Sequence, residues 1–401
     1  MSEHIVDWSG RSLEYTEDEL NYIVNVIKDA DPLTQGKYQE EFERKFAEYI
    51  GGSNNAFAVS NCTSALELAA ILCNLKPGDE VIIPAHTFCA TAIPFARYGV
   101  KIVWADINPK TFEISVDSIK AHITDRTKVI VVVHLYGLMA PMKEIMDIAK
   151  EKGILVVEDC AQAIGASING KKSGTFGDFA CYSFHTHKNL TTLGEGGAII
   201  VNNDELAKLV PGLRHNGLRG FDYERENYWV PAMSNVDFDI NNFWPYNFCL
   251  SEVQCAIGTK LLERIDKINS ERNRRAKIFR DAVSEYTELV FQEIPHGYYS
   301  CYHLLPARYD GKKYHKNNND FIGIMSNKFK IKPVVQYYPL YRYPMFKKAG
   351  FGDAICPNTD NFFDNMVSFP FHQWMPEDKF DYMIESTIKT LKFLRGDNKN
   401  D

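Results

Sequence analysis

No apolar stretch among the 401 residues approaches the roughly 20 that a bilayer-spanning helix needs. Met1-Ser-Glu-His-Ile-Val-Asp-Trp8 lacks the basic and apolar regions of a secretory leader, so a cytoplasmic location is the expectation. The nine cysteines are odd in number and scattered, with no Cys-x-x-Cys pair. That argues against a disulfide framework, a zinc ribbon or an iron–sulfur centre, and no metal site is expected. Thiols such as Cys73 and Cys181 read instead as small buried hydrophobes. Positive charge is scarce: 45 lysines and arginines face 52 aspartates and glutamates, a net of −7, which disfavours nucleic acid or an anionic membrane as a general partner. Gly170, Gly174 and Gly177 miss the G-x-G-x-x-G spacing, so a dinucleotide loop is excluded. The chain shows no internal repeat and no low-complexity block.

What is present points to an α/β protein. Hydrophobic residues make up 45% of the chain, enough for a well-buried core, and the length suits one large domain plus a smaller one. Apolar residues recur at helical spacing in Tyr38-Gln-Glu-Glu-Phe42-Glu-Arg-Lys-Phe46-Ala-Glu-Tyr49-Ile50, and residues 12–50 read as helical. From about 55 to 203, β-rich runs alternate with amphipathic helical stretches. The strand candidates are Phe57–Val59, Glu80–Ile83, Lys101–Trp104, Val129–Val133, Ile154–Val157, Phe179–Ser183 and Ala198–Val201. Several are continuous β-branched runs, as in strands covered on both faces, so a mostly parallel seven-stranded sheet between helices is expected. Residues 215–247 read as long loops, 250–285 as a helix, and the remainder as a smaller α+β unit. The expected division is 1–260 for an N-terminal arm and large domain, and 261–401 for a small one.

Lys188 lies in Ser183-Phe-His-Thr-His-Lys188-Asn-Leu190, shortly before Gly194-Glu-Gly-Gly197. An ordinary lysine amine, of pKa near ~10.4, is mostly protonated and a poor nucleophile toward an aldehyde. Burial or nearby positive charge lowers that value, and His185 and His187 flank it. Asp159 ends the apolar run from Ile154, and ligands gather at the carboxyl ends of strands in α/β sheets. A carboxylate there can cap a helix, or it can keep a pyridine nitrogen protonated. Gln162, three residues on, is placed to reach a ring oxygen. Val59-Ser60-Asn61-Cys62-Thr63-Ser64-Ala65-Leu66 takes a strand end into a helix running from Ala65 to Cys73. Backbone N–H groups and the hydroxyls of Thr63 and Ser64 can hold a phosphate there, with Ser183 as a further hydroxyl. Thr63 serves equally as an N-cap, and the two roles are compatible. An amine for an aldehyde, a carboxylate for a ring nitrogen and donors for a phosphate are what pyridoxal 5'-phosphate (PLP) requires.

The ordered motifs resemble those of the DegT/DnrJ/EryC1/StrS family of sugar aminotransferases, within the fold type I PLP enzymes. The likeness runs from about Thr34 to Leu394. It rests on Gln35-Gly-Lys-Tyr-Gln-Glu-Glu-Phe42, Asn61-Cys-Thr-Ser-Ala-Leu66, Gly78-Asp-Glu-Val-Ile-Ile-Pro84 with Thr87-Phe88, and His134-Leu-Tyr-Gly137. It continues through Glu158-Asp159-Cys-Ala-Gln162, the Lys188 segment with Gly194-Glu-Gly-Gly197, and Tyr246-Asn247 before Glu252-Val-Gln254. The resemblance implies that Lys188 links to the cofactor aldehyde and shuttles protons. It implies further that Asp159 pairs with the pyridine nitrogen, Gln162 with the ring hydroxyl, and Thr63, Ser64 and Ser183 with the phosphate, while Phe88 stacks on the ring. Asn247 would reach the phosphate of a neighbouring subunit, implying a homodimer with shared active sites. L-Glutamate as amino donor and a nucleotide-linked keto-sugar as acceptor also follow from the family, in a ping-pong transamination.

Four departures bear on the substrate. Asn61-Cys62-Thr63 stands where the family often has Ser-Gly-Thr, and Thr186 where a proline is frequent. Gln336-Tyr-Tyr-Pro-Leu-Tyr341 replaces a motif that carries two histidines, and the segment Phe221 to Trp244 is rich in aromatics and charge. A keto-sugar phosphate or small phosphorylated ketone is the alternative acceptor. A PLP-dependent sugar dehydratase would replace the lysine or add an iron–sulfur cluster, and a non-catalytic regulatory relative would degrade Lys188 or Asp159. This chain does none of these.

Overall fold

Seven short apolar runs assemble into one sheet: β1 (Ala56–Val59), β2 (Glu80–Pro84), β3 (Lys101–Ala105), β4 (Thr127–Val133), β5 (Leu155–Asp159), β6 (Phe179–Ser183) and β7 (Gly197–Val201). The computed structural model describes residues 4–11, 13–218, 240 and 243–397. The spatial order is β1-β7-β6-β5-β4-β2-β3. Every neighbouring pair is parallel except those made by β7, which runs antiparallel to both β1 and β6. The seven strand candidates read from the sequence are these seven strands.

The side-chain period of two explains why the runs are apolar throughout. Val81, Ile83, Val129, Val131 and Val157 pack on one face with Leu66 and Leu68 of helix α3 (Cys62–Leu72). Ile82, Ile130, Val132 and Val156 pack on the other with Met142, Ile145 and Ala149 of α4 (Met142–Lys152). At the β1–β7–β6 end this second face is covered by α2 (Lys37–Ile50) and α5 (Glu252–Leu262). Phe46 of α2 meets Tyr182 edge-on at 4.9 Å and Phe184 at 5.5 Å. Such aromatic pairs add roughly 0.5–1.5 kcal/mol each beyond the area they bury.

The region expected to be helical over 12–50 holds two helices, and the single helix expected over 250–285 is broken. Residues 12–50 form α1 (Glu17–Asp29) and α2. Pro32 lacks an N–H and disfavours a helical residue before it, which ends α1 early. A Thr16–Glu19 capping box starts α1, Thr16 Oγ1 accepting from Glu19 N at 3.2 Å and the Glu19 carboxylate accepting from Thr16 N at 2.9 Å. The start of α2 has no local side-chain cap. The Glu252 carboxylate, more than 200 residues away, accepts from Gly36 N (2.9 Å), Tyr38 N (2.8 Å) and Gln39 N (3.2 Å) instead. Residues 250–285 likewise split into α5 and α6 (Ile265–Ala282). No Gly or Pro marks that break. Arg264 there turns its guanidinium to Glu19 (2.6 Å) and Glu14 O (2.9 Å), a tertiary tie that helical periodicity does not encode.

A second, antiparallel sheet has the order β8 (Leu289–Phe291), β9 (Leu305–Tyr309), β10 (Met366–Phe369). Phe279 of α6 and Phe380, Met383 and Leu391 of α7 (Glu377–Arg395) share its core. The N-terminal segment reaches it through a parallel bridge between Val6 and Ile331. No described helix is long and apolar enough to cross a membrane. Most of the Phe221–Trp244 segment lies outside the described residues.

Candidate active site

Alternation along β5 sends Glu158 and Asp159 to opposite faces. Glu158 is fully buried and accepts four hydrogen bonds, from Gly174 N (2.8 Å), Phe176 N (2.8 Å), Gly177 N (2.6 Å) and His134 Nε2 (2.8 Å). Burial pushes its pKa up, but His134 and the amides of Gly177 and Gly174 outweigh burial and hold it below the ordinary carboxylate value. His134 also donates its backbone N–H to Asp159 O at 3.1 Å, so this buried pair fixes the end of the strand.

Asp159, 5% exposed, faces the cavity. Its Oδ2 accepts from Thr91 Oγ1 (2.8 Å) and its Oδ1 from Ala161 N (3.1 Å). Burial pushes its pKa up, while those two donors and the charge of Lys188 pull against it. Lys188 sits in the excursion between β6 and β7, whose ends are tied by the Ser183–Gly197 pair. Its side chain opens onto the cavity, yet the surrounding protein pushes its pKa down, opposed by Cys62 and Asp159. Amine and carboxylate feel each other's charge across one cavity.

The third wall is the start of α3. Asn61 is the N-cap, its Oδ1 accepting from Ser64 N at 2.8 Å, so the helix begins at Cys62 rather than at the expected Ala65. Thr63 therefore stands in the first turn, not at the cap. The early amides of a helix have no intrahelical acceptor, and the dipole adds to their pull on anions. Gly197 makes this possible: a Cβ there would lie 2.5 Å from the Asn61 carbonyl carbon and 2.7 Å from Cys62 N.

Gln162 is locked by two contacts. Its Oε1 accepts from Tyr136 N (2.8 Å), and its Nε2 donates to Tyr337 Oη (3.0 Å). Tyr136 has φ of +62°, an uncommon value for a bulky residue. His86 Nε2 at 2.7 Å and Gln336 O at 2.8 Å tie down its hydroxyl. Phe88 is 53% exposed toward the cavity, with its ring 6.0 Å from that of Tyr337.

The cavity measures about 670 Å3, and Thr63, Phe88, Asp159, Gln162, Ser183 and Lys188 all line it. Ser64 stands behind the wall, its hydroxyl bonded to Ser60 Oγ (2.9 Å) and Asn61 Oδ1 (3.1 Å). Asn247 is exposed and outside the cavity, and its backbone bridges to His215. The structure adds residues that sequence reading missed: Thr91, Tyr337, Trp8, Arg11, Arg272, His303 and His372. Thr91 had a faint signal, a hydroxyl three residues after Phe88 in a turn. Tyr337 lies in the Gln336–Tyr341 segment, whose departure from the family motif is visible in the sequence, and the others arrive from distant segments and had none.

PLP fits this set of groups. Among the described residues the buried Asp159 carboxylate accepts from a hydroxyl and one amide, and a protonated ring nitrogen would add a charged donor. The amine and the α3 N-terminus flank it for an aldehyde and a phosphate.

The family model for the DegT/DnrJ/EryC1/StrS aminotransferase family matches residues 14–387. Among relatives, the GDP-perosamine synthase of Caulobacter vibrioides is 38% identical over 64% of this chain and 65% of its own. The UDP-N-acetyl-3-dehydro-α-D-glucosamine 3-aminotransferase of Acidithiobacillus ferrooxidans is 31% identical over 93% and 94%. Among solved structures, Spr1654 of Streptococcus pneumoniae in its PLP form superposes with a TM-score of 0.84 at 25% identity, covering 97% of this chain and 99% of that one. With the cavity described above, these likenesses place the chain in the DegT/DnrJ/EryC1/StrS aminotransferase family.

Proposed function

We propose that this chain is a PLP-dependent sugar aminotransferase that takes its amino group from L-glutamate and delivers it to a nucleotide-linked keto-sugar. The observation that carries the reading is the convergence of the Lys188 amine, the buried Asp159 carboxylate and the α3 N-terminus on one cavity. The relatives named above act, by their names, in the making of GDP- and UDP-linked amino sugars, which supports a nucleotide-linked acceptor.

Bound here, PLP supplies an electron sink for the carbon that loses its proton. Lys188 is the group that meets the aldehyde. Its lowered pKa favours the neutral amine, which would meet the aldehyde and would hold and pass the proton at Nζ. Asp159 keeps the ring nitrogen charged, and Thr91 and Ala161 N hold the carboxylate in position. Gln162, fixed by Tyr136 and Tyr337, would hold the ring hydroxyl, and Phe88 would pack on the ring. Thr63 and Ser183 receive the phosphate. Ser64 contributes through the α3 turn, and Asn247 from the neighbouring subunit of a homodimer. The division at residue 260 into a large and a small domain and a cytoplasmic location belong to the same reading.

Addition of L-glutamate to the PLP-loaded protein should bleach the aldehyde-linked absorbance band. Amino transfer should then follow to nucleotide-linked keto-sugars in a substrate screen. Lys188→Ala should lose both the borohydride-reducible adduct and turnover. Normal transamination by that variant would reject the assignment, and turnover of keto-sugar phosphates alone would replace the acceptor class.

A further inference from the structure

One wall of the cavity carries charge that the protein leaves unbalanced. Arg272 of α6 is 1% exposed. Its guanidinium donates to Tyr302 O (2.8 Å), His303 O (2.6 Å), Phe371 O (3.5 Å) and Gln373 Oε1 (2.6 Å), all neutral acceptors. Among the described residues no hydrogen bond links it to a carboxylate, whereas buried charges are ordinarily paired. Beside it, His303 is 3% and His372 is 9% exposed, and Nδ1 of each ring has no hydrogen-bond partner. Both rings feel the charge of Arg272, and His303 feels that of Lys188 as well. All three residues line the cavity. Among the described residues two carboxylates line the cavity: Asp159 accepts from Thr91 and Ala161 N, and Glu195 lies 3.9 Å from His185 Nε2.

Resting on the reading of the chain as a glutamate-using aminotransferase, we propose that His303, His372 and Arg272 form an anion subsite for a carboxylate of the amino donor. The Nδ1 atoms are sealed in the wall, so each imidazole donates Nε2–H to the carboxylate. Arg272 clamps the 302–303 and 371–373 segments and supplies the positive potential. Gly137 lets the first of these segments close in, since a Cβ there would lie 2.7 Å from Tyr302 N and 2.8 Å from His303 N. The place favours a carboxylate over a phosphate. His303 lies within electrostatic reach of the Lys188 amine, so an anion held there lies near the reacting carbon. In an amino acid a carboxylate is attached to that very carbon, whereas in a nucleotide-linked sugar several ring atoms intervene.

The test is titration calorimetry on the PLP-loaded enzyme and on His303→Asn and His372→Asn. Glutarate, a dicarboxylate that cannot react, is one probe, and a nucleoside diphosphate is the other. Glutarate should bind roughly tenfold or more weakly in each folded variant, the worth of a charge-assisted hydrogen bond, with nucleoside diphosphate binding unchanged. In the glutamate half-reaction the half-saturating concentration should rise with little change in limiting rate. Thermal melting and the cofactor band identify folded variants, and either variant alone suffices. The proposal is overturned if glutarate fails to bind the wild type, if it binds folded variants as tightly as the wild type, or if diphosphate affinity falls instead. Failure of the wild type to convert L-glutamate would sink the donor reading by itself, while the glutarate titration would still decide the subsite.

Discussion

Glu158→Gln replaces a single oxygen, and the structure sets what that costs. Oε1 accepts from Phe176 N and Gly177 N, and Oε2 from Gly174 N and His134 Nε2. Whichever oxygen becomes an amide nitrogen, two donors then face a donor. His134 offers no easy escape, because its Nδ1 already accepts from Ala140 N at 3.2 Å, which places the proton on Nε2. Two hydrogen bonds to a charged group, at about 1.5–3 kcal/mol each, give a loss of about 3–6 kcal/mol. The assay is urea unfolding followed by circular dichroism, comparing midpoints at constant slope. The pH dependence adds a second reading. Burial raises the Glu158 pKa, but His134 and the amides more than reverse this, so the folded value lies below the ordinary 4.5. Its contribution is therefore present above pH 4.5 and is lost as the pH falls through the lower folded value. The variant should lack this component of acid destabilisation. A loss under about 1 kcal/mol would refute the reasoning, because it would mean that the four contacts carry little net energy.

Asp159→Asn should lower single-turnover rates with glutamate by about 100-fold or more, since about 3 kcal/mol of ring charging is withdrawn while the fold persists. Thr91→Val removes a donor that holds the Asp159 pKa down, so the acidic limb of the rate profile should move to higher pH; an unmoved limb would dismiss the contact. Gly197→Ala drives a Cβ into the Asn61–Cys62 backbone and should cost about 1–3 kcal/mol in thermal or urea unfolding, with weaker cofactor retention. Because burial lowers the Lys188 pKa, capture of PLP by the apoprotein should titrate below 10.5, as a stopped-flow pH series would show.

The sheet was legible because its strands are covered on both sides, so β-branched runs such as Val129–Val133 stand out without any need for alternation. Lys188, Asp159, Gln162, Thr63 and Ser183 were legible because they fall at strand ends and a helix start, where local chemistry marks them. The breaks were less visible. Pro32 signalled one, but the stop at Arg264 depends on Glu19 and Glu14, far off in sequence. The Arg272–His303–His372 wall was hidden for the same reason. A buried arginine on an amphipathic helix reads as surface, and two histidines from separate loops show no shared spacing. Asn61 rather than Thr63 proved to be the cap, a choice between neighbouring polar residues that propensity alone does not make.

The carboxylate that completes the first turn of α2 lies 216 residues downstream of Gly36. During translation at about 5–20 residues per second, that acceptor emerges roughly 10 to 40 s after the amides that need it. Until then the apolar stripe of α2, Phe42 and Phe46, has no α5 to pack against. The order of synthesis thus withholds from α2 both its capping carboxylate and its packing surface until residue 252 and the helix after it have been made.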